Sequence, residues 1–340
     1  MADVRPVNRI STSSFFFASL VVCVLGARVP GAYARANDDQ QTPSLEQQRN
    51  AAAQKDLASW EDQELGRLRK SAEQGNAQAQ FELGFLYFTG NKVGQNFAEA
   101  MNWWHKAANQ QSVLAELNLG VMYQNGLGTP KDNLQAVQWY RKAAEHGDET
   151  AQLHLGEAYE EGVGVTQDSD QALQWWRRAA DQGNARAQHY LGQAYHVGSG
   201  VSKDYPKAAE WYRKSAEQGN PAAQLNLGFM YHNGEGLTRD PAQAIQWWRQ
   251  AAAQGNASAQ YNLGLLYRTG EGVAQDYVEA YKWIELAVGN SSGDSQRKYS
   301  RLRDVLTKSM TPDAVAEAQK RAQEISNVQR RSSEVECRKR

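Results

Sequence analysis

The chain repeats itself every 36 residues across most of its length. A leucine–glycine pair recurs in register at Leu83-Gly84, Leu119-Gly120, Leu155-Gly156, Leu191-Gly192, Leu227-Gly228 and Leu263-Gly264. A tyrosine follows each pair, and a tryptophan recurs at the same interval from Trp103 to Trp283. A fixed period of this length is the signature of a solenoid, whose stacked copies share one core. This overrides the two globular domains that 340 residues alone would suggest.

Each copy carries two helix-capping residues, one before each of two apolar stretches. Those before the first stretch, helix A, are Asn76, Ser112, Asp148, Asn184, Asn220 and Asn256. Those before the second stretch, helix B, are Asn96, Asp132, Asp168, Asp204, Asp240 and Asp276. Such side chains accept hydrogen bonds from the free N–H groups of a helix's first turn. Apolar residues then recur three to four apart, so each copy is predicted to be a helix-turn-helix hairpin.

The glycine of each leucine–glycine pair falls inside helix A, where glycine costs about 1 kcal/mol relative to alanine. Its recurrence at one position predicts close helix contact, with a tryptophan or tyrosine of helix B filling the space beside it. Nine of the ten tryptophans fall in helix B. We therefore predict that these aromatic residues form the core and are not ligand platforms.

The pattern A-x-x-x-L-G-x-x-Y-x-x-G-x-G-x-x-x-D-x-x-x-A-x-x-W-[WY]-x-x-[AS]-A resembles the Sel1-like repeat, a relative of the tetratricopeptide repeat. The resemblance covers residues 75–290. It implies an all-α, right-handed α-solenoid of six 36-residue helix-turn-helix repeats with helical caps. It also implies an adaptor that holds other proteins, often at membranes or in the bacterial envelope. The first copy departs from the pattern, because Lys92 stands where later copies have their second loop glycine.

The N-terminus is typical of an export signal. Arg5 and Arg9 precede the apolar run Phe15–Gly26, and small residues then offer a cleavage site ending at Ala34 or Ala36. This order predicts a signal peptide over residues 1–36, either cleaved or retained as an anchor. A periplasmic or secreted location follows from that prediction.

Further segments flank the repeats. We predict a mobile linker over 37–56, an N-terminal capping helix over 57–74, C-terminal capping helices over 291–326 and a disordered polar tail over 327–340. Thr311 would cap the last of these helices, with Pro312 in its first turn.

Composition and motifs exclude several function classes. The formal net charge is −1, so no basic excess indicates nucleic-acid binding. Cys23 and Cys337 form neither a disulfide framework nor a metal-ligand spacing, and no cofactor or metal is predicted. A single Ser-x-x-Lys, Ser295 to Lys298, lacks the companion motifs of penicillin-binding enzymes. We therefore predict no enzymatic activity, with hydrolysis of β-lactams or cell wall as the least favoured alternative.

Five positions of each helix A change between copies while the core stays fixed. In the first repeat they hold Gln78, Glu82, Phe85, Phe88 and Thr89, and the equivalents follow in steps of 36. In the related tetratricopeptide array helix A lines the concave groove, so the resemblance implies a binding groove here. The candidate partner-binding residues are Asn118, His154, Glu157, Glu160, Arg186, Tyr190, Asn226, Phe229, His232, Asn262 and Leu265.

The predicted function is a non-enzymatic scaffold or adaptor of the cell envelope that binds an unidentified protein partner as an extended or helical segment. A carboxylate clamp for a C-terminus is not expected, because its lysines are absent from the matching positions Phe81, Leu117, Leu153, His189, Leu225 and Tyr261. One alternative is a peptidoglycan or polysaccharide module that uses Phe85, Phe229 and Tyr190. Another is that the variable positions face solvent without a partner.

Overall fold

The computed structural model describes residues 63–339, with side chains to residue 331. The predicted signal peptide, the linker and the start of the N-terminal capping helix lie outside these residues. Every regular element within the described range is a helix. The fifteen helices are α1 (63–73), α2 (Ala77–Thr89), α3 (Phe97–Ala108), α4 (Val113–Asn125), α5 (Asn133–Glu145), α6 (Glu149–Glu161), α7 (Ser169–Asp181), α8 (Ala185–Val197), α9 (Tyr205–Glu217), α10 (Pro221–Asn233), α11 (Pro241–Ala253), α12 (Ala257–Thr269), α13 (Tyr277–Gly289), α14 (Gly293–Lys308) and α15 (Pro312–Lys339).

The even-numbered helices α2 to α12 are the six copies of helix A, and the odd-numbered helices α3 to α13 are the six copies of helix B. All twelve predicted capping residues stand directly before these helices. Only Ser112 makes no side-chain capping bond. Each helix A ends at a left-handed glycine, such as Gly234 with φ of 75°. The predicted fold class, an all-α solenoid of six hairpin repeats, is confirmed.

The described residues form two compact units, and the chain passes from one to the other within α6. One unit runs from residue 63 to Ala158 with Gly162–Thr166, and the other holds Tyr159–Glu161 and the residues from Gln167 onward. In both units helix A packs against helix B of its own repeat and follows helix B of the previous one. The core of each unit is therefore a stack of helical hairpins.

The mid-helix glycines admit an aromatic ring of helix B, as predicted. A Cβ added to the glycine would lie closer than 3.0 Å to that ring in the pairs Gly84–Trp104, Gly120–Tyr140, Gly192–Tyr212 and Gly228–Trp248. The shortest of these approaches is 2.3 Å, to Trp248 Nε1. In the last repeat Ile284 replaces the aromatic ring beside Gly264. Close packing between the two helices thus offsets the low helix propensity of glycine.

Two recurring side-chain hydrogen bonds tie neighbouring repeats together. A buried glutamine of helix A donates to a carbonyl at the end of the preceding helix, at 3.0–3.2 Å, in the pairs Gln80–Ala72, Gln152–Ala144, Gln188–Ala180, Gln224–Ala216 and Gln260–Ala252. An arginine of helix B donates to the tyrosine hydroxyl of the next helix A in the pairs Arg177–Tyr195, Arg213–Tyr231 and Arg249–Tyr267. Because buried amides are costly when unpaired, the glutamine bonds fix how successive hairpins stack.

The C-terminal helices continue the pattern. α14 begins 36 residues after α12, so it takes the place of a seventh helix A. α14 and α15 both pack against α13, and the Thr311 hydroxyl accepts the Ala314 N–H ahead of Pro312 as predicted. The structure departs from the predicted tail, because α15 continues to Lys339 and does not end at residue 326. The Gln329 amide holds this extension by donating to the carbonyls of Ala252 and Ala253 at 3.2 and 2.9 Å.

Candidate functional site

The solvent-facing stripe of helix A, here called the helix-A face, consists of the five variable positions of each repeat. Their most exposed members are Gln78, Glu82, Phe85, Leu114, Asn125, Glu161, Gln193, Val197, Asn233 and Thr269. None of these ten belongs to the eleven candidate residues, which are half-buried or buried. The two groups differ in exposure. Exposure at these positions depends on the neighbouring side chains, whereas the prediction of the candidate residues used their own chemistry.

Part of the helix-A face joins one repeat to the next instead of facing solvent. The Glu160 carboxylate accepts a hydrogen bond from Ser199 at 3.1 Å, and its other oxygen is buried without a hydrogen-bond partner. One repeat later the His196 ring lies 2.7 Å from Glu235, and one repeat further His232 lies 3.4 Å from Glu271. Each pair joins a helix A to the loop of the following repeat. Glu160 and His232 are therefore engaged inside the array.

His154 and Glu157 form a local pair on α6. The His154 Nδ1 lies 3.0 Å from Glu157, and the ring stacks on Tyr140 with a centroid distance of 5.0 Å. Burial raises the pKa of the Tyr140 hydroxyl, and the negative charge of Glu157 raises it further. The His154 side chain is 10% exposed, so it contributes mainly its edge to the surface.

Asn226 lies in a polar cluster between two repeats. Its amide nitrogen is 3.1 Å from His189 Nε2, and it also hydrogen-bonds the Tyr212 hydroxyl. His189 is covered by Tyr190 and Tyr212, and this burial, with the positive charge of Arg186, lowers the pKa of the imidazole to about 4. A neutral imidazole can accept the Asn226 N–H, whereas a protonated one cannot. The cluster is therefore built for uncharged His189.

Asn262 occupies the equivalent position one repeat later without that cluster. Leu225 and Trp248 replace the two hydrogen-bond partners, and the buried Asn262 Nδ2 has no partner among the described residues. Phe229 is also buried, at 9% exposure, with its ring 5.4 Å from that of Trp248. Leu265, Asn118 and Arg186 are half-buried. The structure thus places several candidate residues between the helices, with little surface left for a partner.

The residues on which the two alternative functions depend differ in their exposure. Of the three aromatics proposed for polysaccharide contact, Phe85 is exposed, Tyr190 is half-buried and stacks on Trp176 at 4.8 Å, and Phe229 is buried. Ser295 and Lys298 are exposed in the first turns of α14, and the Lys298 ammonium lies 4.7 Å from the centre of the Tyr261 ring. The lysine of the Ser-x-x-Lys motif therefore contacts an aromatic face.

Metal sites and membrane-spanning helices are two further features that the described residues could hold. No group of three or more histidine, cysteine, aspartate or glutamate side chains in this part of the chain is arranged to hold a metal ion. Among the helices from residue 63 onward, none combines the length and apolar character that a membrane crossing requires.

Known proteins resemble the chain along most of its length. The Sel1 repeat model matches residues 77–112, 113–148, 150–184, 185–220, 221–256 and 257–289. A Sel1 repeat protein from Oxalobacter formigenes is 34% identical, with a TM-score of 0.59 over 70% of this chain and 97% of that chain. A protective antigen of uropathogenic Escherichia coli with an SLR fold is 31% identical over 81% of this chain and 74% of its own, with a TM-score of 0.37. No curated protein matches.

Five of the six family matches begin at the first residue of a helix A, at residues 77, 113, 185, 221 and 257. The sequence period, the capped hairpins and the family matches therefore describe the same unit. The chain belongs to the Sel1 repeat family, whose members generally mediate interactions between proteins.

Proposed function

We propose that the chain is a non-enzymatic adaptor of the bacterial cell envelope that holds a segment of a partner protein along its helix-A face. The observation that carries this proposal is the contrast between a core that recurs in every copy and exposed helix-A positions that differ between copies. Phe85, Leu114 and Val197 on that face are 49%, 53% and 48% exposed. A bound segment that covers these side chains would remove their apolar surface from water.

The proposed location depends on the N-terminal sequence. Two arginines, an apolar run and an Ala-x-Ala site ending at Ala34 or Ala36 support export and removal of the leader. Cell fractionation followed by mass spectrometry of the mature N-terminus tests this part separately. A protein recovered from the cytoplasm with its first residues intact would contradict it.

Photo-crosslinking in the native cell tests the binding face. A benzophenone amino acid replaces Phe85, Leu114 or Val197, one at a time, since these side chains are exposed. Matched control sites are the exposed helix-B residues Leu134, Glu210 and Gln246. We expect one defined protein adduct from the helix-A sites and none from the controls.

The outcomes separate the alternatives. Adducts from helix B alone, or equal adducts from both faces, would reject the helix-A assignment. Sedimentation of the protein with purified peptidoglycan, lost on changing Phe85 to Ala, would support the polysaccharide alternative, because Phe85 is the exposed member of its aromatic set. Labelling of Ser295 by a fluorescent penicillin would contradict the absence of enzymatic activity.

A further inference from the structure

Two stacked tyrosines mark the C-terminal end of the helix-A face. Tyr261 of α12 and Tyr299 of α14 stack with centroids 4.5 Å apart and planes 23° from parallel. The Ser258 and Tyr299 hydroxyls lie 3.4 Å apart beside this stack. Tyr299 is buried, whereas Tyr261 keeps part of its surface in solvent. The ring stack therefore connects α12 with α14.

Three cations of α12 and α14 are here called the cation patch: Arg268, Lys298 and Arg301. The Lys298 ammonium lies 4.7 Å from the centre of the Tyr261 ring, and Arg301 follows one turn later on the same side of α14. Burial and the neighbouring Tyr299 raise the pKa of the Tyr261 hydroxyl, and the positive charge of Arg268 partly offsets this. Arg268 is therefore close enough for its charge to act at the same tyrosine.

The carboxylates on these and adjoining segments are engaged by other cations. Asp294 binds Arg297, Asp304 binds Arg303, and Glu271 binds Arg239. Within residues 63–331 no ion pair reaches any member of the cation patch. This differs from α15, where Arg321 bonds both Glu317 and Glu279. The patch is thus a local excess of positive charge on a chain whose overall formal charge is −1.

We propose that the cation patch binds an acidic segment of the partner protein, with aspartate or glutamate carboxylates on Arg268, Lys298 and Arg301. The inference rests on the proposed function, since it assigns the chemistry of the segment that the helix-A face holds. Guanidinium groups bind carboxylates in a bidentate manner, and an ammonium group pairs with a carboxylate as a point charge. This is a recognition of side-chain carboxylates, and it differs in position and ligand from a clamp on a C-terminus.

Fluorescence anisotropy with the full chain and a fluorescein-labelled, C-terminally amidated hexaglutamate peptide tests the inference. We expect saturable binding that weakens with added salt, and no binding of hexaglutamine or hexalysine. Changing Arg268, Lys298 and Arg301 together to glutamine should weaken binding at least about tenfold, since each exposed pair contributes a modest amount. The control variant changes Lys142, Arg178 and Lys214 to glutamine, which removes the same charge from helix B, where each cation lies over a tryptophan.

Equal weakening by the two variants, or absence of hexaglutamate binding, would overturn the inference. So would equally tight, patch-dependent binding of hexathymidylate DNA, because the patch would then be a general anion surface. A large gain in affinity for hexaglutamate with a free C-terminus would show that the α-carboxylate, and not the side chains, is the ligand. If helix-A crosslinks persist while hexaglutamate fails, this inference alone falls. If the crosslinks fail in chains whose cation patch is intact, the proposed function falls whatever the peptide does.

Discussion

Phe85 and Phe229 are the same residue at the same position of repeats one and five, yet Phe85 is 49% exposed and Phe229 only 9%. In repeat five the Phe229 ring lies edge-on to Trp248, which His232 also covers. In repeat one the equivalent Trp104 is covered by Phe81 and Phe88. Each tryptophan is contacted by two rings. In repeat one Phe81 is one of them, whereas in repeat five the smaller Leu225 stands at that position and Phe229 contacts the tryptophan instead.

The comparison shows that the place of a residue within the repeat does not by itself determine whether its side chain on the helix-A face is exposed. Its exposure also depends on the size of the residue four places earlier and on the ring beneath both. The same reasoning applies to the polar pair Asn226 and Asn262, of which the first has two hydrogen-bond partners and the second has an unpaired Nδ2. The same substitution at equivalent positions of two repeats should therefore have different effects on stability.

Truncation of the two phenylalanines should give the largest contrast. Phe229→Ala removes a buried ring from the Trp248 surface and should lower the free energy of unfolding by about 3 kcal/mol. Phe85→Ala, the matched control, should change it by less than about 0.5 kcal/mol. Urea unfolding followed by tryptophan fluorescence measures both. Similar losses for the two variants would show that Phe85 is buried in solution.

Acid should weaken the polar cluster around Asn226. The folded-state pKa of His189, about 4, lies below its ordinary value of about 6.5, so protonation favours the unfolded chain. This contribution is fully present above pH 6.5 and is lost as the pH falls towards 4, amounting to at most about 3 kcal/mol.

His189→Leu copies Leu225 of the next repeat and should flatten the pH dependence of the urea midpoint between pH 6.5 and 4.5. His105→Leu serves as the comparison, at a histidine whose pKa is also lowered by burial and by the positive charge of Lys142. An unchanged pH profile in the His189 variant would mean that this imidazole titrates normally.

The two asparagines should respond to leucine with opposite signs. Asn226→Leu leaves His189 and Tyr212 without their donor and should cost about 2 kcal/mol. Asn262→Leu removes a buried unpaired amide and should stabilise the chain by about 1 kcal/mol. Thermal unfolding followed by circular dichroism compares the variants directly. Destabilisation by both would indicate that Asn262 has a hydrogen-bond partner in solution.

The smallest contrast concerns two positions where a repeat lacks its usual glycine. Lys92 and Gln111 have φ of 63° and 64°, where the other copies have glycine, apart from Ser291 at the Gln111 position of the last copy. Because this region strains residues with a Cβ, Lys92→Gly and Gln111→Gly should each stabilise by about 0.5–1 kcal/mol. Gly147→Gln is the reverse substitution at a site with open space around the Cβ and φ of 98°, so it should destabilise by a similar amount. Equal midpoints for all three variants would contradict this account.

Features that depend on residues close in sequence could be predicted. The caps at Asn76 and Asp240 satisfy N–H groups two or three residues away, and the glycine of each leucine–glycine pair signals a close helix contact that the structure confirms. The burial of Phe229 could not be predicted, because it depends on three side chains from two helices. The helical C-terminus was missed because Gln329 bonds carbonyls 76 and 77 residues earlier.

The arginine–tyrosine ties between repeats have a consequence for the history of the chain. Each tie joins residues 18 apart, and both members recur in every interior copy, so an inserted 36-residue copy would find its partners on both sides already in place. The array can lengthen by duplication without any compensating substitution. At the ends the tie changes chemistry, to His105 with Tyr123 at the start and to Glu285 with Arg303 at the finish. We therefore expect a relative with a different number of copies to retain these two terminal pairs at its ends.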